Sequence, residues 1–410
     1  MKVLMINTGW KLSSTGKIAY GFYKELVSRG HECILLHREA VDEEDDKNVI
    51  ALNKHIEVEI YRKINLVTGY HSTFAPLSMY RLRKIFEKFK PDIVQLYNIH
   101  GYFVDIYRMF DFFAKKQVPI VYSMLDEHPY LGYCCYAYDC EQFKAGCTNC
   151  NQRIKSGYMG SLFFNRARET FLLKEKAYKK NDIIFVGPRW VLERARESAL
   201  LCRAHLEEVD EFIENEMTFI PRTGEEIRKE LSIGEDDIMI LNVAPSNDPR
   251  KGVEDFIRMA EKCKNEKFKF VNVGYQDKNR NLPNNFIGVS FVAEQQLLAE
   301  YYSASDALVC TSYADTMPNV CLEALSCGTP VYGYEVTGVP YVAEEPEGTF
   351  VQTGNIDAML EKILDVGRKD IKTQERCRKY AMERYSLNVY TEKMMKIYKN
   401  KLKERKDICQ

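Results

Sequence analysis

Apolar residues recur along the chain in short runs of strand length, each followed by a polar loop and then a stretch with helical spacing. Lys2–Asn7 is such a run, Gly9–Gly16 is rich in Gly, Ser and Thr, and Ile18–Ser28 has a helical period stopped by Gly30. Cys33–His37, Asp92–Tyr97, Val118–Met124 and Asp182–Val186 predict further strands, and Phe103–Lys116 a helix; residues 191–217 read as helices rich in Glu and Arg. A second series begins near 222. Strands are expected at Ile238–Val243, Phe268–Val273, Ala307–Thr311 and Val331–Tyr334, and helices at Gly252–Cys263, Glu294–Ala304, Val320–Ser326 and Asn355–Val366. Strand and helix in alternation build a parallel sheet covered by helices. The fold class is therefore α/β, with two doubly wound domains over 1–217 and 218–385 and a helical tail over 386–410. Thr218–Gly224, with its Pro and Gly, is the expected hinge. Ligands of such folds bind beyond the carboxyl ends of the strands.

Composition changes this picture little. The 410 residues suit two domains; 45% are hydrophobic and 29% charged, and the formal net charge of −1 gives no field that would draw the chain to nucleic acid. The apolar run after Lys2 is too short for a secretory core, and no run reaches the roughly 18 residues of a membrane span, so a cytoplasmic protein is expected. The 13 cysteines are then thiols and not a disulfide framework.

The chemistry concentrates in Asp306–Val331, DALVCTSYADTMPNVCLEALSCGTPV. A strand ends near Thr311, a loop carries Asp315 and Pro318, and a helix opens near Asn319, with Glu323 on its first turns. Backbone N–H groups of Met317, Pro318, Asn319 and Val320 at a helix N-terminus favour a diphosphate. Carboxylates at Asp315 and Glu323 suit a sugar diol and a ribose diol; the alternative is a helix cap and a solvated helix residue.

This run resembles the signature of family 4 retaining glycosyltransferases of the GT-B fold: an acid, seven residues, Glu, Ala, then Gly-x-Pro-Val, matched by Asp315, Glu323, Ala324, Gly328, Pro330 and Val331. The resemblance spans residue 1 to about 395. Asp248-Pro-Arg-Lys-Gly252 is similar to the family's cationic element, so Lys251, and after it Arg250, are expected to neutralise the departing pyrophosphate; the family's further upstream Arg is replaced by Ala244-Pro245-Ser246. Ser14-Thr-Gly16-Lys17 resembles the family's glycine loop, which implies donor contacts at Gly16 and Lys17, or else an ordinary helix cap. Asn98 and His100 follow a matching strand. Ser123-Met-Leu-Asp126 keeps the family's Asp at Asp126 but has Leu125 where the polysaccharide subgroup has a His that contacts the donor sugar; His128 lies two residues on. The resemblance implies two facing Rossmann-like domains, with the tail helix crossing back to the first. It also implies an enzyme that transfers a sugar from a nucleotide-sugar donor, with retention and no metal in the chemistry, onto a glycan or lipid-linked glycan, in capsule, exopolysaccharide or O-antigen assembly. Leu125 leaves a catalytically silent binding subunit as an alternative. A nucleotide-sugar epimerase of similar fold is disfavoured by the Asp315/Glu323 pattern.

Two features remain. Cys134, Cys140, Cys147 and Cys150 are spaced C-x5-C-x6-C-x2-C inside an insertion of about 127–160, a set that could hold a structural zinc, with Cys135 as a competing ligand, or equally remain packed or free thiols. Residues 61–90 and 393–406 are basic with interleaved aromatics, which suits an anionic membrane surface on the inner face or, equally, solvated helix faces.

Overall fold

The computed structural model describes residues 1–9, 13–39, 46–150, 161, 163–277 and 279–408. Part of the glycine loop (10–12), part of the Cys-rich insertion (151–160) and the side chain of Lys406 lie outside the described residues. The chain forms two compact units, Met1–Glu211 with Tyr390–Gln410, and Phe212–Val389. Thr218–Gly224 lies within the second unit, tied there by Ser326 Oγ and Arg378 Nη1, both donating to Phe219 O at 2.6 Å.

The first unit runs β1 (Lys2–Ile6), α1 (Ser14–Ser28), β2 (Glu32–Glu39), β3 (Val49–Asn53), α2 (His55–Thr68), α3 (Pro76–Phe89), β4 (Ile93–Leu96), α4 (Ile106–Lys116), β5 (Ile120–Ser123), α5 (Ala167–Lys179), β6 (Ile183–Gly187), α6 (Arg189–Glu197) and β7 (His205–Glu208). The seven strands pair in parallel in the order β3-β2-β1-β4-β5-β6-β7. β4, β5 and β6 are buried at every position, as a sheet covered on both faces requires. The predicted helical stretch 191–217 is corrected here: helix ends at Glu197, and HLEE at 205–208 is a strand. It is the sheet's edge, mostly exposed, so it carries no apolar run from which it could have been read.

The second unit runs α7 (Glu225–Glu230), β8 (Ile238–Val243), α8 (Val253–Lys262), β9 (Phe268–Val273), β10 (Phe286–Val289), α9 (Gln295–Ala304), β11 (Ala307–Cys310), α10 (Asn319–Ser326), β12 (Val331–Tyr334), β13 (Gly348–Val351), α11 (Ile356–Leu364) and α12 (Ile371–Tyr385). Its six parallel strands are ordered β10-β9-β8-β11-β12-β13. α8 shows how sequence sets the packing: Val253, Phe256, Ile257, Met259 and Ala260 recur at helical spacing and are all buried, in one cluster with Ile240 of β8 and Phe270 of β9. Burying each large apolar side chain contributes about 1.5–3 kcal/mol.

A last helix, α13 (Leu387–Ile408), starts in the second unit and from Tyr390 onward belongs to the first. Tyr390 meets the Phe22 ring edge-on at 5.0 Å, and Tyr398 Oη donates to Gln95 Oε1 at 2.8 Å.

In each sheet the strand order reverses once, between β1 and β4 and between β8 and β11. The carboxyl ends of the strands at such a reversal are where an open α/β sheet accommodates a ligand.

Candidate functional site

In the second unit the switch point lies between the loops that follow β8 and β11. After β8, Asp248 accepts from Arg250 N at 3.0 Å and caps a single 3-10 turn, Pro249–Lys251. Gly252 ends that turn at φ 64°, where a Cβ would meet Thr311 O at 2.1 Å. Only glycine lets the turn lie against the end of β11. Tyr313 N donates to Arg250 O at 2.8 Å, and Thr311 Oγ1 donates to Lys251 O at 2.9 Å, so the two loops are stitched together.

The result is a charged cluster. Lys251 Nζ lies 2.5 Å from Asp315 Oδ2; Arg250 Nη1 donates to Ala314 O at 2.7 Å and lies 3.5 Å from the same Asp315 oxygen. Asp315 is held from behind, its N–H donating to Thr337 Oγ1 at 2.9 Å and its carbonyl accepting from Gly338 N at 2.8 Å. All three side chains keep some exposure, 21% at Lys251, 23% at Arg250 and 13% at Asp315, so an anion can reach the two cations.

Pro318 is the N-cap of α10, and Met317 is buried beside it. Pro318 has no N–H, so it cannot be one of the expected donors; in the α10 first turn those are Asn319 and Val320. Glu323 stands on the next turn, where Tyr302 Oη of α9 donates to its Oε2 at 2.8 Å. Tyr302 is fully buried and fixes the carboxylate; no motif in the sequence pointed to it.

In the first unit the switch point lies between the loops after β1 and β4. Thr8 N donates to Asn98 O at 2.6 Å. Ser13 Oγ accepts from Gly16 N at 3.1 Å, and Ser13 O accepts from Lys17 N at 2.8 Å. The ordinary helix cap is thus realised, and the Gly16 N–H is committed to it.

Beside this loop, after β5, a buried polar cluster surrounds Asp126. Its Oδ2 accepts from Asn98 Nδ2 at 3.1 Å and lies 2.7 Å from His100 Nε2, while Oδ1 accepts from His128 N at 2.9 Å. His128 therefore serves Asp126 through its backbone. Its imidazole packs 4.9 Å from the His100 ring and 5.1 Å from His71, with Nε2 3.2 Å from Lys174 Nζ. Burial lowers the pKa of His71 and of His128 well below the ordinary value, so both are neutral. Burial also pushes Lys174 down to about 8; its Nζ donates to His128 O at 2.6 Å and Leu131 O at 2.8 Å, pinning the loop after Asp126. Leu125, at the position of the family's His, is buried. Sequence reasoning missed Lys174 and His71 because their partners are remote in the chain.

The four cysteines of the expected metal set, Cys134, Cys140, Cys147 and Cys150, line one small enclosed pocket with Phe143 and Tyr133. The neighbouring Cys150 thiol, then burial, raises the pKa of Cys134. Among the described residues no three of these sulfurs lie within 4.8 Å of one another.

Wider recesses lie elsewhere. One of about 660 Å³ includes Asp182, Ile183 and His205, and one of about 540 Å³ includes Arg228, Asp306 and Arg368. Both sit where strands begin, away from the carboxyl ends that carry the switch-point loops.

Comparison with known proteins agrees with this layout. Residues 223–384 match the family described as Glycosyl transferases group 1, and residues 15–124 that described as Glycosyltransferase Family 4. The chain is 24% identical over 203 residues to alpha-galactosylglucosyldiacylglycerol synthase of Streptococcus pneumoniae, a match covering 46% of this chain and 52% of that protein. The chain thus spans about half the length of this curated relative. Among solved structures it is similar to sucrose-phosphate synthase of Thermosynechococcus elongatus, with TM-score 0.67, 15% identity, and 97% and 98% of the two chains covered. It is also similar to Anabaena HepE in complex with UDP-glucose, with TM-score 0.61, 12% identity, and 98% and 100% covered. The two units have the GT-B fold of these solved glycosyltransferases.

Proposed function

We propose that this protein is a glycosyltransferase that moves a sugar from a nucleotide-sugar donor to a glycan or lipid-linked glycan, with retention at the anomeric carbon. The observation that carries the reading is the cluster at the β8/β11 switch point. Lys251 and Arg250 are set side by side on a turn that only Gly252 permits, one loop away from the N-terminus of α10. Two cations and the N–H groups of a helix start are the complement of a diphosphate.

In the mechanism, the diphosphate lies on the first turn of α10, and Glu323, steadied by Tyr302, accepts from the ribose hydroxyls. Asp315 holds Lys251 in place until the donor arrives and then takes sugar hydroxyls. As the anomeric C–O bond breaks, negative charge grows on the leaving diphosphate, and Lys251 and Arg250 stabilise it more strongly than in the ground state. No metal is needed for this step. Asp126, buried and oriented by Asn98, His100 and His128 N, is the carboxylate of the first unit assigned to the reaction.

The name of the curated relative, a glycolipid synthase, supports a lipid-linked acceptor. No described helix is long and apolar enough to cross a membrane. A cytoplasmic enzyme that meets its acceptor at the inner membrane face would dock through α2 and α3. There Ile56, Ile60, Val67, Leu77 and Tyr80 are exposed beside exposed Lys63, Arg83, Lys84 and Lys88. The tail is the weaker half of the expected basic surface: Lys401 is buried on Asp182, and Lys393 faces Asp210 at 3.8 Å. In the Cys-rich loop, zinc held by Cys134, Cys140, Cys147 and Cys150 would act as a structural staple. Capsule, exopolysaccharide or O-antigen assembly is the biological setting this reading implies.

The test is product analysis. The full chain is incubated with UDP- and GDP-sugars and a lipid extract, and the anomeric configuration of the product is read by NMR. A product with the donor's configuration supports the reading; an inverted product, or none with any donor, contradicts it.

A further inference from the structure

The Asp126 cluster holds more than a positioned carboxylate. His100 Nε2, Asp126 Oδ2 and Cys135 Sγ all lie within 4.8 Å of one another. Among the described residues this is the one group of three or more such donor atoms gathered that closely; the sulfurs of the four-cysteine set would have to draw inward to reach it. The three donors come from different loops, those after β4 and β5 and the Cys-rich loop. His100 and Asp126 are only 4% and 5% exposed.

Their geometry distinguishes two uses. A proton relay passes through an imidazole, engaging one partner at each ring nitrogen. Here the carboxylate and the thiol meet the same nitrogen: Asp126 Oδ2 lies 2.7 Å and Cys135 Sγ 3.5 Å from His100 Nε2. Three donors gathered this closely can make the face of a coordination tetrahedron. With zinc bonds of about 2.0–2.3 Å, tetrahedral ligand atoms stand roughly 3.3–3.7 Å apart. The Cys–His spacing already has that value, and the His–Asp spacing, that of a hydrogen bond, is short of it by less than an ångström.

We propose that His100, Asp126 and Cys135 form a binding site for a zinc-class divalent ion, distinct from the four-cysteine set. On binding, the ion replaces the proton between His100 Nε2 and Asp126 Oδ2, which passes by way of solvent to His100 Nδ1, and the Cys135 thiol gives up its proton to solvent. One imidazole, one thiolate and one carboxylate match the borderline-soft preference of zinc or cobalt and not that of calcium or magnesium. Asn98 Nδ2, donating to Asp126 Oδ2, and His128 N, donating to Oδ1, orient the carboxylate from outside the ligand set. Lys174, the cation nearby, is engaged by His128 Nε2 and the carbonyls of His128 and Leu131. Three protein ligands leave a fourth position open, unlike a closed four-thiolate site. The proposal does not rest on sugar transfer.

The experiment titrates the reduced, metal-stripped full chain with Co²⁺, reading stoichiometry and the thiolate-to-cobalt absorption, with Zn²⁺ as competitor. Wild type should bind one more ion than either Cys135→Ser or His100→Ala. The Cys140→Ser/Cys150→Ser double variant should keep an ion with a one-thiolate spectrum. Circular dichroism checks that each variant is folded; if Cys135→Ser is not, His100→Gln and the double variant decide. Equal uptake by wild type and the folded His100 or Cys135 variants overturns the site, whether or not the four-cysteine set binds. So does a wild type that takes up no ion.

Discussion

At the scale of single residues, Lys251 carries the most. It is partly exposed and paired with a partly exposed carboxylate, and pairs of this kind contribute about 0–1 kcal/mol to stability. Lys251→Ala should therefore unfold within a few degrees of wild type. Its turnover should fall by about 100-fold or more, the effect of removing one preorganised charge stabiliser. Thermal unfolding beside steady-state kinetics checks both halves, and a variant that loses stability and activity together would point to a structural role. Glu323→Gln keeps an oxygen for Tyr302 Oη but loses the charge-assisted bonds to the ribose, each about 1.5–3 kcal/mol. Donor affinity should drop by roughly tenfold or more in calorimetric titration, and unchanged affinity would remove Glu323 from the donor site. A third residue bears on stability alone. His37 is buried in β2, and that burial lowers its pKa to about 4. Between about 4 and the ordinary 6.5 the unfolded chain binds a proton there that the folded chain does not, so stability falls as the pH drops through this window. His37→Gln should flatten the decline of unfolding temperature on acidification; an unchanged slope would contradict it.

At the scale of elements, the loop between β8 and α8 decides where the cations stand. Gly252→Ala places a Cβ 2.1 Å from Thr311 O and forces the residue to hold a positive φ, a strain of about 1 kcal/mol before the clash is counted. The turn must shift, so this variant should lose activity almost as fully as Lys251→Ala while its circular dichroism stays that of wild type. Retained activity would show that the turn does not set the position of Lys251. This loop was legible because its parts are local: a strand run, a Pro-Arg-Lys-Gly turn and an amphipathic helix, each read from a few neighbours. The same holds for β11, the Asp315 loop and α10. What the sequence hid has a physical reason too. β7 lies at a sheet edge with a polar strand, so no apolar run marks it. Tyr302 reaches Glu323 across 21 positions and Lys174 reaches His128 across 46, and pairs that remote leave no local pattern. Position 318 counts as a donor in a helix start, but its residue is proline, whose nitrogen carries no hydrogen.

At the scale of the whole molecule, the proposed function assigns the donor to the second unit and a membrane contact to the α2–α3 surface of the first. The α2–α3 surface should bind vesicles containing anionic lipid and not neutral ones, since each Lys or Arg near an anionic bilayer contributes about 1 kcal/mol. Binding should weaken from low to high salt, and Lys84→Glu with Lys88→Glu should reduce it several-fold in co-sedimentation; equal, negligible binding to both vesicle types at low salt would remove the membrane claim alone. The central claim is that the switch point between β8 and β11 handles a nucleotide sugar. The most direct measurement is release of nucleoside diphosphate from a panel of nucleotide sugars, with acceptor lipid extract, by wild type and by folded Lys251→Ala. The account predicts acceptor-dependent release of one nucleoside diphosphate by wild type and about 100-fold less by the variant. Equal turnover by the two proteins, or no release by wild type from any donor, would contradict it.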